Sequence, residues 1–108
     1  MVVINRAEVL ERLGDDEELY AEICGLFVRD AATMLDRLQT ELTARRLEVA
    51  TRYAHSMKSM ASNVGAVQVA EAARQLEAAG REGDADEMER RMPELLLSVE
   101  QALAALTP

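Results

Sequence analysis

The chain has 108 residues, 49% apolar and 30% charged, with a formal net charge of −8 at pH 7. That length suits one domain, residues 1–108, around one core, and the acidic balance excludes the basic stripe a nucleic-acid binder needs. A lone cysteine, Cys24, excludes an internal disulfide and a cysteine-based zinc site; it is expected to act as a small buried apolar residue.

With no Trp, two Tyr and one Phe, the core must be built from Leu, Val, Ile, Met and Ala. That palette, with two prolines and five glycines, favours helices. The first segment is too short for a signal peptide before amphipathic sequence begins. No apolar run approaches the length of a membrane span. These features point to a soluble protein of the reducing cytoplasm.

Asn5 predicts the N-cap of a short first helix, with Glu8 closing a capping box and Ile4 and Val9 forming a hydrophobic staple. Gly14 ends it. Asp15, boxed with Glu18, is expected to cap a second helix over about 16–42. Its apolar face reads Leu19, Ile23, Leu26, Phe27, Met34, Leu35, Leu38 and Leu42. A third helix is predicted over about 44–62, with Ala50, Ala54, Met57, Ala61 and Val64 inward and Gly65 just beyond it. A fourth covers about 66–81, with Val69, Ala73 and Leu76 inward; Gly80 and Gly83 interrupt the pattern. Asp84 with Glu87 opens a last helix to about 106, on which Met88, Met92, Leu95, Leu96, Val99, Leu103 and Leu106 share a face. Pro93 within it predicts a kink or break near Met92.

No strand-like alternation competes. Four long amphipathic helices with short connections imply an all-α fold: an antiparallel up-down-up-down four-helix bundle with a short extra N-terminal helix.

The one histidine, His55, lies on the third helix. Each residue turns a helix by about 100°, so His55 and Met57 point to nearly opposite sides. Met57 belongs to the apolar stripe, and His55 therefore faces water. Thr51, Arg52, Lys58, Ser59 and Ser62 share its side at helical spacing, and Ser56 is its neighbour. Small residues at Ser59 and Ser62 leave the ring open to a partner. One histidine without a cysteine cluster or paired carboxylates makes a poor metal site, so no metal is expected. A helix face offers neither the nucleophile turn nor the oxyanion hole of a Ser-His-Asp hydrolase. No glycine-rich nucleotide motif is present, so no autonomous kinase activity is expected. Nucleophilic catalysis by imidazole remains. A neutral imidazole attacks phosphorus, and Lys58, one turn on, offsets the charge of a phosphoryl group.

The stretch "AHSMKSMASNVGA", residues 54–66, resembles the signature of the histidine-containing phosphotransfer (HPt) family: His-x-x-Lys-Gly, then a second glycine ten residues after the histidine. His55, Lys58 and Gly65 occupy the matching positions. "LEAAGREGD" at 76–84 is similar to the family's next helix end and turn, and "RLGDDEELYAEICGLF" at 12–27 to its first two helices. The resemblance implies an antiparallel four-helix bundle that carries a phosphoryl group on a histidine in a two-component phosphorelay. The donor is a receiver-domain aspartate or a histidine kinase; the acceptor is an aspartate on another receiver. It implies phosphorylation of His55 at Nε2, charge stabilisation by Lys58, and no cofactor bound here, the receiver bringing Mg²⁺. Thr51, Arg52, Ser56, Ser59 and Ser62 are the expected partner-contacting residues, and Gly65 is a structural turn.

The family usually has glycine where this chain has Ser59, which bears on partner choice; its hydroxyl can donate to a phosphoryl oxygen. Glu77 falls where some chemotaxis-kinase relatives carry a glutamate bonded to the inner histidine nitrogen. In other members this residue only touches the receiver, and Gln75 or Arg74 equally suits the place beside the ring. An ordinary surface or helix-pairing carboxylate is the plainer reading of Glu77. The rival function is a helical interaction module that binds a receiver or other partner without phosphoryl transfer. The start at Met1 permits a free-standing protein, a domain cut from a longer kinase being the other possibility; a monomer is expected.

Overall fold

A computed structural model describes residues 3–107. Five helices follow in order: α1 Arg6–Arg12, α2 Glu17–Thr43, α3 Leu47–Val64, α4 Val67–Arg81 and α5 Ala85–Leu106. At about 1.5 Å per residue, the 27 residues of α2 account for the long axis of a body measuring 41 × 23 × 21 Å.

The connections are short, so neighbouring helices run antiparallel, and cross-helix pairs show it. Tyr20 near the start of α2 reaches Val64 at the end of α3. Thr51 early in α3 faces Gly80 late in α4. Gln75 of α4 is bonded by Arg91 of α5. Arg45, just past α2, pairs with Glu89 early in α5. The described residues thus form the expected up-down-up-down bundle, with α1 laid across one end.

The inward stripes meet in one core. On α3, Ala50, Ala54, Met57, Ala61 and Val64 are all buried, as are Val69, Ala73 and Leu76 of α4 and Met88, Met92, Leu95 and Val99 of α5. The small residues let helices approach closely, and Phe27, Leu38, Met57 and Leu76 fill the volume between them.

Several expectations are corrected. On α2 the buried stripe runs through Tyr20, Phe27, Ala31, Leu38 and Leu42, and this leaves Leu19 and Leu26 exposed. Each precedes a buried residue and is turned about 100° away from the core. Leu96 of α5 is likewise exposed. The N-cap of α2 is Asp16, which accepts from the Leu19 N–H at 3.0 Å, not Asp15. Asp15 follows Gly14 in the left-handed region (φ 62°) and belongs to the turn. The box at Asn5 is only half made: its side chain accepts from Glu8 N–H, but its own N–H goes to the Gly65 carbonyl at 2.8 Å. Helix α5 passes through Pro93 unbroken. Pro93 and Glu89 are exposed, so water can take the carbonyl that loses its N–H partner. Gly80 lies within α4 instead of interrupting it. Cys24 is half-buried, packed against the core edge.

The end of α3 is anchored with care. Gly65 adopts φ 81°, where a side chain is strained, and an added Cβ would fall 2.7 Å from the Asn5 carbonyl oxygen. Three carbonyls there find donors outside the helix: Ser62 from Arg12 at 3.0 Å, Val64 from the Tyr20 hydroxyl at 2.9 Å, and Gly65 from Asn5. Burial and the neighbouring Cys24 thiol push Tyr20 up to about 12, so its hydroxyl keeps the proton it donates. Helix α1 therefore secures the far end of the helix that carries His55.

Candidate functional site

His55 sits on the outer face of α3, opposite Met57. Its side chain is 54% exposed, as the helical phase requires. The seam with α4 decides what lies beside it. Gly80 has no side chain, and an added Cβ would be 2.0 Å from Thr51 Oγ1, so the two helices meet closely there. One turn along, in antiparallel register, α4 brings Glu77 against His55.

Glu77 is the centre of the cluster. Its side chain is 5% exposed, yet every oxygen is satisfied. Oε2 accepts from His55 Nδ1 at 2.8 Å and from Arg81 Nη2 at 2.6 Å; Oε1 accepts from Lys58 Nζ at 2.7 Å. Burial alone would raise the carboxyl pKa; the bonds from Lys58, His55 and Arg81 outweigh it and bring it to about 2. Glu77 is thus an ionised acceptor at neutral pH. A carboxylate without a proton can only accept, so Nδ1 must donate. In the neutral ring this fixes the tautomer and leaves the lone pair on Nε2.

Glu77 is therefore no surface carboxylate, but it does pair helices, joining α4 to α3 through His55 and Lys58. It is a buried group bonded to the inner nitrogen of His55. Arg74 and Gln75, the alternatives for that place, turn instead to Glu71: Arg74 holds both of its oxygens at 2.6 and 2.9 Å, and Gln75 bonds one at 3.1 Å.

The other singled-out residues divide by exposure. Arg52, Ser59 and Ser62 are exposed on the His55 side, and Ser56 is half-buried. Thr51 is half-buried at the Gly80 contact, and its hydroxyl donates to the Leu47 carbonyl at 2.6 Å. Lys58 is 31% exposed and tied to Glu77, not free in solvent. Farther along α3, Met60 and Asn63 face Ile23, Leu26, Phe27 and Asp30 of α2 across a shallow apolar hollow.

Arg81 was not singled out from the sequence. It lies four residues after Glu77 on the same helix, the order in which a glutamate and an arginine pair best. A charged residue on the inward stripe of Ala73, Leu76 and Gly80 was the signal for Glu77 itself. With a neutral imidazole, the cluster of Glu77, Lys58 and Arg81 carries one net positive charge, suited to an incoming phosphoryl group. Among the described residues, no three His, Cys, Asp or Glu side chains are grouped as a metal site requires, and no helix is long and apolar enough to cross a membrane.

Comparison with curated proteins and with solved structures returned no match. The Hpt domain family model matches residues 22–106. The likeness read in residues 12–21 lies outside that match, as does α1, whereas α3, α4 and α5 fall within it. With the histidine signature, most of α2 and all of α3, α4 and α5 inside the matched stretch, the chain belongs to the Hpt domain family, whose domains serve histidine phosphotransfer in two-component signalling.

Proposed function

We propose that His55 is the phosphoacceptor of a relay, taking a phosphoryl group from an aspartate of one receiver domain, or from a histidine kinase, and passing it to an aspartate of another receiver. The observation that carries this reading is the bond from Nδ1 to the buried Glu77 carboxylate, which leaves Nε2 as the nucleophile on a half-exposed ring.

With a receiver as donor, the Nε2 lone pair attacks the phosphorus of an aspartyl phosphate. The N–P bond forms as the P–O bond breaks, and the electron pair leaves on the aspartate carboxylate. The Nδ1 proton stays in its bond to Glu77, which stabilises the positive charge the ring gains. Onward transfer reverses these steps on a second receiver. Lys58 offsets the added charge as a point cation. Transfer of this kind uses Mg²⁺ held by the receiver, and the bundle binds no cofactor of its own. Arg52, Ser56, Ser59 and Ser62 contact the docked receiver, with Leu26 and Met60 as its apolar rim; Thr51 acts beneath that surface. The domain acts in the cytoplasm as a monomer, without nucleic acid.

The test is incubation with a labelled, phosphorylated receiver and Mg²⁺. Label should appear on the protein in an acid-labile, base-stable form. His55→Gln should take none while keeping the helical signal and melting temperature nearly unchanged, because a half-exposed side chain carries little packing energy. Complex formation without label on the wild-type chain would leave an interaction module in place of a carrier.

A further inference from the structure

We propose that Arg81 is a positioning residue that holds the Glu77 carboxylate in the orientation His55 requires. This rests on the phosphotransfer reading above and deepens it.

The argument is one of shared lone pairs. Each carboxylate oxygen offers two acceptor sites. On Glu77, Lys58 takes one site of Oε1, and His55 and Arg81 take both sites of Oε2. The Lys58 bond comes from α3 and the Arg81 bond from α4 itself, so the carboxylate is held from two directions. A neutral imidazole N–H is a weaker donor than an ammonium. Without Arg81, Lys58 would draw the carboxylate toward itself, and His55 would lose its partner. Arg81 prevents this by fixing Oε2 where Nδ1 meets it. Its side chain is 68% exposed and sits in the last turn of α4, so replacing it should leave the fold intact.

The experiment combines a direct view of the ring with a double-mutant cycle. In the wild type, the Nδ1 proton should give a resolved low-field NMR resonance, protected by its bond to Glu77. Arg81→Ala should shift or broaden it, and Arg81→Lys, which can still donate to Oε2, should restore it. Phosphoryl acceptance by Arg81→Ala should fall about three- to fivefold, the scale of a partly exposed ion pair. In a Glu77→Ala background, the same Arg81→Ala change should cost nothing further. An unmoved Nδ1 resonance with wild-type transfer would overturn the proposal. So would a loss that persists without Glu77, which would place Arg81 on the phosphoryl group or the receiver directly. A wild-type protein that accepts no label would sink the phosphotransfer reading alone, since the resonance still reports on Arg81.

Discussion

Glu71 and Glu77 lie on the same helix and both stand near a pKa of about 2, but two different environments bring them there. Glu71 is on the solvent face. Its bonds come from Arg74 and Gln75, both on its own helix, and its pKa falls chiefly through Arg74. Glu77 is on the seam, where burial opposes ionisation and donors from two helices override it. The same lowered pKa thus marks a local surface pair in one place and an interhelical joint in the other. Only the second fixes a functional side chain. A depressed carboxyl is informative here through what its donors connect, not through its size.

The largest effect should come from removing the joint. Glu77→Ala leaves Lys58 and Arg81 free to find water, since both reach the surface, so the cost stays below that of stranding a buried charge. A stability loss of about 1–3 kcal/mol is expected, read from the urea midpoint. Phosphoryl acceptance should fall roughly tenfold, the scale on which a lost orienting partner of a histidine acts at metal sites. Unchanged transfer would mean that the ring needs no partner on Nδ1.

Gly80→Ala attacks the same joint through packing. The added methyl would stand 2.0 Å from Thr51 Oγ1 and 3.2 Å from Met88 Cε. Overpacking of this kind costs about 1–3 kcal/mol, and the better helix propensity of alanine returns about 1 kcal/mol. A net loss of up to about 2 kcal/mol should follow, with slower transfer as Glu77 is pushed from His55. Thr51→Ala in the same chain should recover part of both. Failure to recover either would detach the Thr51–Gly80 contact from the site.

These two residues also show what the sequence could and could not reveal. The helical stripes were legible because they repeat every three or four residues, and all five inward positions of α3 are buried as expected. The exposed histidine followed from the same arithmetic. The cap at Asp16 was not separable from Asp15 by residue type, since either aspartate can cap; the left-handed turn at Gly14 and Asp15 decides it. The partner of His55 depended on how α4 slides along α3. That register places a glycine against a threonine across the seam, and periodicity within one helix carries no information about it. Arg81 was hidden for the same reason, because its importance exists only once Glu77 is known to be buried.

Acid should separate the two glutamates next. The folded pKa of Glu77 lies below its ordinary value of 4.5, so the unfolded chain binds the proton first as pH falls. The stability it contributes is fully present above about pH 4.5 and is lost as pH falls toward 2. Glu77→Gln should flatten that part of the stability profile, measured by urea unfolding across the window. An equally steep decline in the variant would assign the acid sensitivity to other carboxylates.

The smallest effect, and the sharpest control, is Glu71→Ala. Its depressed pKa would predict the same acid sensitivity as Glu77 if pKa alone decided the matter. Its side chain is half in water, however, and solvent screens a pair of this kind in both states. Its loss frees Arg74 and the Gln75 amide nitrogen, while the Gln75 oxygen keeps its bond from Arg91, and α3 is not touched. Melting temperature, acid profile and the Nδ1 resonance of His55 should all stay at wild-type values. A shift in that resonance would show that the solvent face of α4 communicates with the seam, and the two regions would then have to be treated as one electrostatic unit.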